Sequence, residues 1–172
     1  VQLNHLKKVS KQIRLAAEEW DSHWKILIAI LLSARTRDEV TIPIAEKLFN
    51  EYNLEELAKA SLIDIQKIIR PINFYKNKSK SVINCAKVLV EKYKGKPPLE
   101  LDKLLELPGV GRKTANVFLS EVGEYGLGVD THCSYIAQKL EWTKNKHPDR
   151  IEQDLKNLFP KRYWIRINPI LV

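Results

Sequence analysis

An all-α fold with short connections is what this sequence predicts, and three observations predict it. Apolar residues recur at helical spacing through nearly every segment. The ends of those segments carry helix start and stop residues. Neither a long alternating strand pattern nor a low-complexity linker interrupts the 172 residues. A chain of this length suffices for one good core, or for two small lobes sharing a cleft.

Taken in order, the periodicity predicts helices over Leu3 to Trp20, Trp24 to Leu32, Asp38 to Tyr52, Leu54 to Ala60 and Leu62 to Ile69. Asp38 and Ser61 read as N-caps, whose side-chain oxygens satisfy a free amide of the first turn. Pro71 closes the fifth segment, because proline cannot continue a helix. A long helix follows from Lys76 to Tyr93, with Ile83, Ala86, Leu89, Val90 and Tyr93 on its apolar side. Gly95 and Pro97-Pro98 stop it. Shorter helices are predicted over Glu100 to Glu106, Arg112 to Val122, Thr131 to Leu140, Pro148 to Leu158 and Arg162 to Ile167, with Pro160 ending the fourth of these.

Charge and cysteine usage narrow the class. Lys and Arg number 29 against 21 Asp and Glu, a formal charge of +8. That excess suits a polyanion, since phosphate contacts gain from counterion release. A lysine-rich surface on an ordinary soluble protein would give the same balance. The uncharged run from Ile26 to Ala34 falls far short of the roughly 20 residues that span a bilayer, and no signal-peptide pattern opens the chain. An intracellular protein with no membrane partner is expected. Cys85 and Cys133 sit in helical apolar patterns and read as buried thiols. No cysteine cluster has metal-ligand spacing, so no metal site is expected in this chain. The sequence lacks methionine, begins at Val1 and ends in apolar Ile170-Leu171-Val172, so a longer parent chain is expected.

The most informative stretch is Leu107-Pro108-Gly109-Val110-Gly111-Arg112-Lys113-Thr114-Ala115-Asn116, followed by Val129-Asp130-Thr131-His132. Leu107 and Val110 can pin a short turn between two helices. Gly109 and Gly111 allow positive φ and close approach of a phosphate. Amides of the turn and of the next helix's first residues would then point at that phosphate, a contact that positions DNA without reading sequence. An ordinary helix–turn–helix corner is the plainer alternative. Arg112 and Lys113 argue against it, because cations at a helix N-terminus oppose the helix dipole unless an anion compensates.

Lys113 has two readings. The positive helix end and neighbouring Arg112 both disfavour an ammonium, which favours the neutral amine that a nucleophile needs. Such an amine can displace a base at the sugar's anomeric carbon, and the resulting Schiff base breaks the strand by β-elimination. Otherwise Lys113 simply contacts phosphate. Asp130 reads first as an N-cap. Its charge could also stabilise the positive sugar that develops as a base leaves, and help deprotonate Lys113. His132 is expected to pack or hydrogen-bond rather than catalyse.

With these residues the chain resembles the endonuclease III family of the helix-hairpin-helix DNA glycosylase superfamily. LPGVGRKTAN at 107–116 and VDTH at 129–132 are similar to its two signature segments. LIAILLSARTRD from Leu27 to Asp38 resembles its second helix and loop, and WIRINPILV from Trp164 to Val172 resembles the stretch before its cluster motif. The resemblance implies two helical lobes with DNA in the cleft between them. A six-helix barrel lobe with the hairpin would run over 20–125; the second lobe would combine 1–19 with 126–172. It implies Lys113 and Asp130 as the catalytic pair of a bifunctional glycosylase and AP lyase for oxidised pyrimidines. The DNA contacts it implies are Leu107, Gly109, Val110, Gly111, Arg112 and Thr114 on the hairpin, with Ser33, Arg35 and Thr36 in the earlier loop. The partner is double-stranded DNA carrying a damaged base or abasic site, bound by a monomer, with the base flipped into a pocket. An 8-oxoguanine-type glycosylase/lyase and a non-catalytic module gripping the DNA backbone stand as alternatives.

Three departures from the family pattern stand out. Arg35 occupies the place of a glutamine that fills the gap left by the flipped nucleotide. Tyr135 stands where the family often has a basic residue. The four cysteines that hold a [4Fe-4S] cluster in many members are absent, so no cofactor is expected in this chain, and a cluster in a full-length protein is neither assigned nor excluded.

Overall fold

The computed structural model describes residues 15–164, 166 and 167. Nine α-helices follow one another in the described residues: α1 (His23–Ser33), α2 (Asp38–Glu51), α3 (Leu54–Lys59), α4 (Leu62–Ile68), α5 (Tyr75–Tyr93), α6 (Leu101–Leu105), α7 (Arg112–Glu121), α8 (Thr131–Lys139) and α9 (Pro148–Leu158). A 3-10 turn, Lys161–Tyr163, comes after α9. No strand occurs among the described residues.

The helix α1 explains the arrangement. Seven consecutive residues, Ile26 to Leu32, are buried, so it is apolar around its whole circumference. A helix of that kind must be surrounded; α2, α5 and α7 pack on it. The amphipathic helix α5 lays Val82, Ile83, Cys85, Ala86 and Leu89 into the same core. A second, smaller core gathers Leu127, Val129, Cys133, Ala137, Ile151, Leu155 and Ile167. The switch from the first core to the second falls between Val122 and Leu127.

Several local expectations change. The helix expected over Leu3 to Trp20 lies outside the described residues as far as residue 14, and residues 15–22 form turns and bends. The cap of α2 is Arg37, not Asp38, which is the first helical residue and places its carboxylate favourably at the positive helix end. Ser61 does occupy the N-cap of α4, without a side-chain hydrogen bond. Arg162 to Ile167 opens as the 3-10 turn rather than a regular α-helix. One cap is not shown by periodicity alone: Asn53 and Glu56 form a reciprocal capping box on α3.

Candidate functional site

Two features bring the hairpin and the second core together. The Cβ of any residue at 126 would lie 2.0 Å from the Asn116 carbonyl oxygen, so only glycine lets the chain after α7 pass this close to it. The backbone N–H of Leu127 then donates to Asn116 Oδ1 at 3.2 Å. From there Val129 is buried in the second core and Asp130 opens α8. Asp130 accepts from the backbone N–H of Cys133 at 2.7 Å, as its cap reading requires. Its other carboxylate oxygen lies 3.9 Å from Lys113 Nζ. One carboxylate thus caps α8 and also faces Lys113. Its side chain is only 15% exposed, whereas that of Lys113 is 58% exposed.

Both side chains line a cavity of about 510 Å³, together with Ser33, Arg35, Thr36, Asp38, Thr114, Glu121 and His132. Burial raises the Asp38 carboxyl above the usual carboxylate range, and burial with nearby Glu18 does the same for Glu121. Neither acid stands out for a site role in the sequence, where Asp38 reads as a cap and Glu121 falls within a helix. His132, expected to pack or hydrogen-bond, is exposed at this cavity, which speaks against the packing alternative.

The hairpin between α6 and α7 behaves in part as expected. Leu107 and Val110 are buried and pin the turn from inside, so their side chains are unavailable to DNA. Gly109 adopts φ +80°, and a Cβ there would meet Ser81 Cβ at 2.5 Å. Gly111 differs from expectation. It is the extended N-cap of α7 at φ −88°, with nothing within 4 Å of a Cβ. No contact among the described residues demands glycine there.

Arg112 also departs from its expected role. Its guanidinium donates to both oxygens of Glu152, from Nε at 2.9 Å and Nη2 at 3.0 Å. The same carboxylate accepts from Asn116 Nδ2 at 3.1 Å and Lys156 Nζ at 2.6 Å. The anion that the helix start called for is therefore internal, and it keeps the Arg112 guanidinium more firmly protonated than usual. With its charge matched, Arg112 ties α7 to α9 instead of presenting a free cation to a phosphate. A charged residue beside Ile151 on the buried side of α9 was the available signal for Glu152.

The loop after α1 carries Ser33, Arg35 and Thr36. Arg35 is exposed and held at φ +59°, with its guanidinium carbon 5.6 Å from the Phe74 ring centroid. Phe74 is 58% exposed and itself at φ +59°. Tyr135 is exposed, with Lys139 Nζ 5.6 Å above its ring.

A [4Fe-4S] cluster needs about four thiolates or equivalent ligands. The sequence has two cysteines. They lie in different cores, Cys85 in the first and Cys133 in the second, and burial pushes both thiols up to about 12. These residues do not fit such a cluster. No group of three or more potential metal ligands occurs among the described residues. No helix among them is long and apolar enough to cross a membrane.

A helical fold, a glycine hairpin at a helix start and a lysine–carboxylate pair on a cavity define the helix-hairpin-helix class of DNA repair protein. A family model described as "HhH-GPD superfamily base excision DNA repair protein" matches residues 28–161. The chain belongs to that superfamily and, within it, to the endonuclease III family. It is 43% identical to the endonuclease III of Thermotoga maritima over 152 residues, covering 87% of this chain and 71% of that protein. Against the endonuclease III of Synechocystis it is 37% identical over 143 residues, covering 81% of this chain and 65% of the relative. The solved structure of a trapped endonuclease III–DNA covalent intermediate superposes with a TM-score of 0.90 at 28% identity, covering 98% of this chain and 80% of that one.

Proposed function

We propose that this chain acts as a bifunctional DNA glycosylase and AP lyase, removing an oxidised pyrimidine from duplex DNA through Lys113. The observation that carries the proposal is the pair of Lys113 Nζ and Asp130 Oδ2, 3.9 Å apart on a cavity beside the hairpin. The solved relative described as a covalent intermediate with DNA supports the same chemistry.

A flipped nucleotide enters the cavity with its base inward and its anomeric carbon toward Lys113. Asp130 takes a proton from the Lys113 ammonium, and the free amine forms a bond to the anomeric carbon. The bond from that carbon to the base breaks, and the base leaves with the electron pair. Asp130 passes that proton to the departing base, and the restored carboxylate faces the positive charge left on the sugar and the attached amine. Ring opening gives a protonated Schiff base. Loss of a proton from C2′ then expels the 3′ phosphate, cutting the strand, and water releases Lys113.

The hairpin's role in this reading is grip. Gly111 leaves room for a phosphate at the first amides of α7, and Thr114 faces the same cavity. Ser33, Arg35 and Thr36 lie on the other wall, with Arg35 placed to fill the vacated position in the duplex. Residues 20–125 serve as the hairpin-bearing lobe and 126–164 as the lobe that presents Asp130. A monomer binding double-stranded DNA suffices for every step.

Borohydride trapping tests the proposal, using a labelled duplex with one abasic site, the wild-type chain and Lys113→Gln. A covalent complex formed by the wild type and lost in folded Lys113→Gln is the expected result, to be followed by a panel of damaged bases. No trapped species from well-folded wild type would overturn the lyase reading and leave a glycosylase without lyase activity or a backbone-gripping module.

A further inference from the structure

A lysine that the chemistry above does not use lies beneath the Arg35 loop. Lys78, on α5, is 8% exposed. Its Nζ donates to the carbonyl oxygens of Leu32 at 2.7 Å and Ala34 at 2.5 Å, and to the Thr36 hydroxyl at 3.3 Å. All three partners are neutral oxygens of one short segment at the C-terminal end of α1, where carbonyls lack helical donors. Burial lowers the ammonium to about 8.

A second tie joins the same loop from the turn before α5. The backbone N–H of Asn73 donates to the Thr36 hydroxyl at 3.2 Å, and its side-chain amide donates to the Arg35 carbonyl. Between these ties Arg35 sits at φ +59°. A non-glycine residue holds that conformation only where its surroundings over-determine it. The Arg35 side chain gains no core packing in return, since it is exposed. Phe74, next to Asn73, repeats the pattern: exposed, in left-handed backbone, its ring against the Arg35 guanidinium. A buried cation thus fastens the Arg35 loop, and Asn73 ties that loop to the turn carrying Phe74; the outward residues of both are held in disfavoured conformations.

We infer that Lys78 is a positioning residue, fixing the 33–36 loop so that Arg35 meets the duplex with its conformation already set. The inference rests on the glycosylase/lyase reading. Lys78 is buried behind the loop and acts through Arg35. Its loss therefore weakens engagement of DNA and leaves the Schiff-base step at Lys113 intact.

Lys78→Met and Lys78→Arg test this in the full chain, with kcat and KM for strand cleavage at an abasic site expressed per active molecule. End-point borohydride trapping counts those molecules, so a fraction that fails to fold does not enter the rates. Lys78→Met is expected to raise KM about tenfold, the scale of a lost charge-assisted anchor, with kcat within about twofold. Lys78→Arg, which keeps donors, is expected to recover part of the rise. Adding Arg35→Ala to Lys78→Met is expected to raise KM little further, because a loosened Arg35 has already lost its use. An unchanged KM, or full additivity with Arg35→Ala, overturns the inference. Should Lys78→Met yield no folded protein, Asn73→Ala removes the side-chain half of the exposed second tie; a KM rise of about threefold that is non-additive with Arg35→Ala supports the inference, and additivity overturns it. Wild type that traps no DNA defeats the enzymatic reading itself. Wild type that traps while the variants leave KM unmoved defeats only the role of Lys78.

Discussion

Glu152→Gln probes the junction on which the site is built. The Glu152 carboxylate is 4% exposed and accepts from Arg112 Nε and Nη2, Asn116 Nδ2 and Lys156 Nζ. Each of its oxygens takes two donors, so an amide nitrogen in either place faces two hydrogen bonds it cannot accept. Removing one partner of a buried ion pair destabilises by about 3–5 kcal/mol. Arg112, 39% exposed, can rehydrate, which favours the lower end. About 3 kcal/mol corresponds to roughly 6–12 °C of Tm for a chain of this size. Urea and thermal unfolding of Glu152→Gln measure it, with Asp149→Asn as the control. Asp149 lies 3.9 Å from Arg112 Nε and is 57% exposed, so its loss should scarcely register. Strand cleavage should also fall, because Arg112 and Asn116 flank Lys113 on α7 and Asn116 holds the chain leading to Asp130. A loss under about 1 kcal/mol, or one equal to that of Asp149→Asn, would refute the claim that this carboxylate joins α7 to α9.

Other expectations follow from the same geometry. Asp130→Asn keeps a good N-cap while removing the charge, so Tm should hold while base release falls at least about a hundredfold; equal loss of both would return Asp130 to a purely structural role. Gly109→Ala should destabilise strongly, since it forces a Cβ onto Ser81 at positive φ, whereas Gly111→Ala should leave Tm unchanged and weaken binding to an abasic-site duplex; comparing melting curves with titrations separates the two. The pH dependence of Lys78 has a definite sign. Its pKa is about 8 folded against 10.5 unfolded, so the unfolded chain binds the extra proton between those values. The contribution is full above pH 10.5 and lost as pH falls through 8. Relative to Lys78→Met, wild-type stability should therefore rise over that window, and a flat difference in unfolding free energy would contradict it.

Local order was legible because it depends on neighbours in sequence. The apolar spacing of α5, the cap at Asp130 and the turn at Gly109 are each set by a few adjacent residues, and each is found in the structure. Side-chain partnership across the fold was not legible. Arg112 at a helix start called for an anion, and the sequence offered DNA phosphate; the fold supplies Glu152, forty residues away. Glycine at 109 and 111 looked equivalent as letters, yet one is required by φ and Ser81 while the other faces open space.

By itself, then, the sequence determined an all-α chain, the hairpin and the lysine and carboxylate that could work together, since periodicity, turn chemistry and residue type are local properties. Only the tertiary structure decided that Lys113 and Asp130 meet, that Arg112 is committed internally and that Lys78 holds the Arg35 loop. Those facts depend on the close passage at Gly126 and on burial, which bring distant residues within hydrogen-bond range and set which charges must find partners inside the protein.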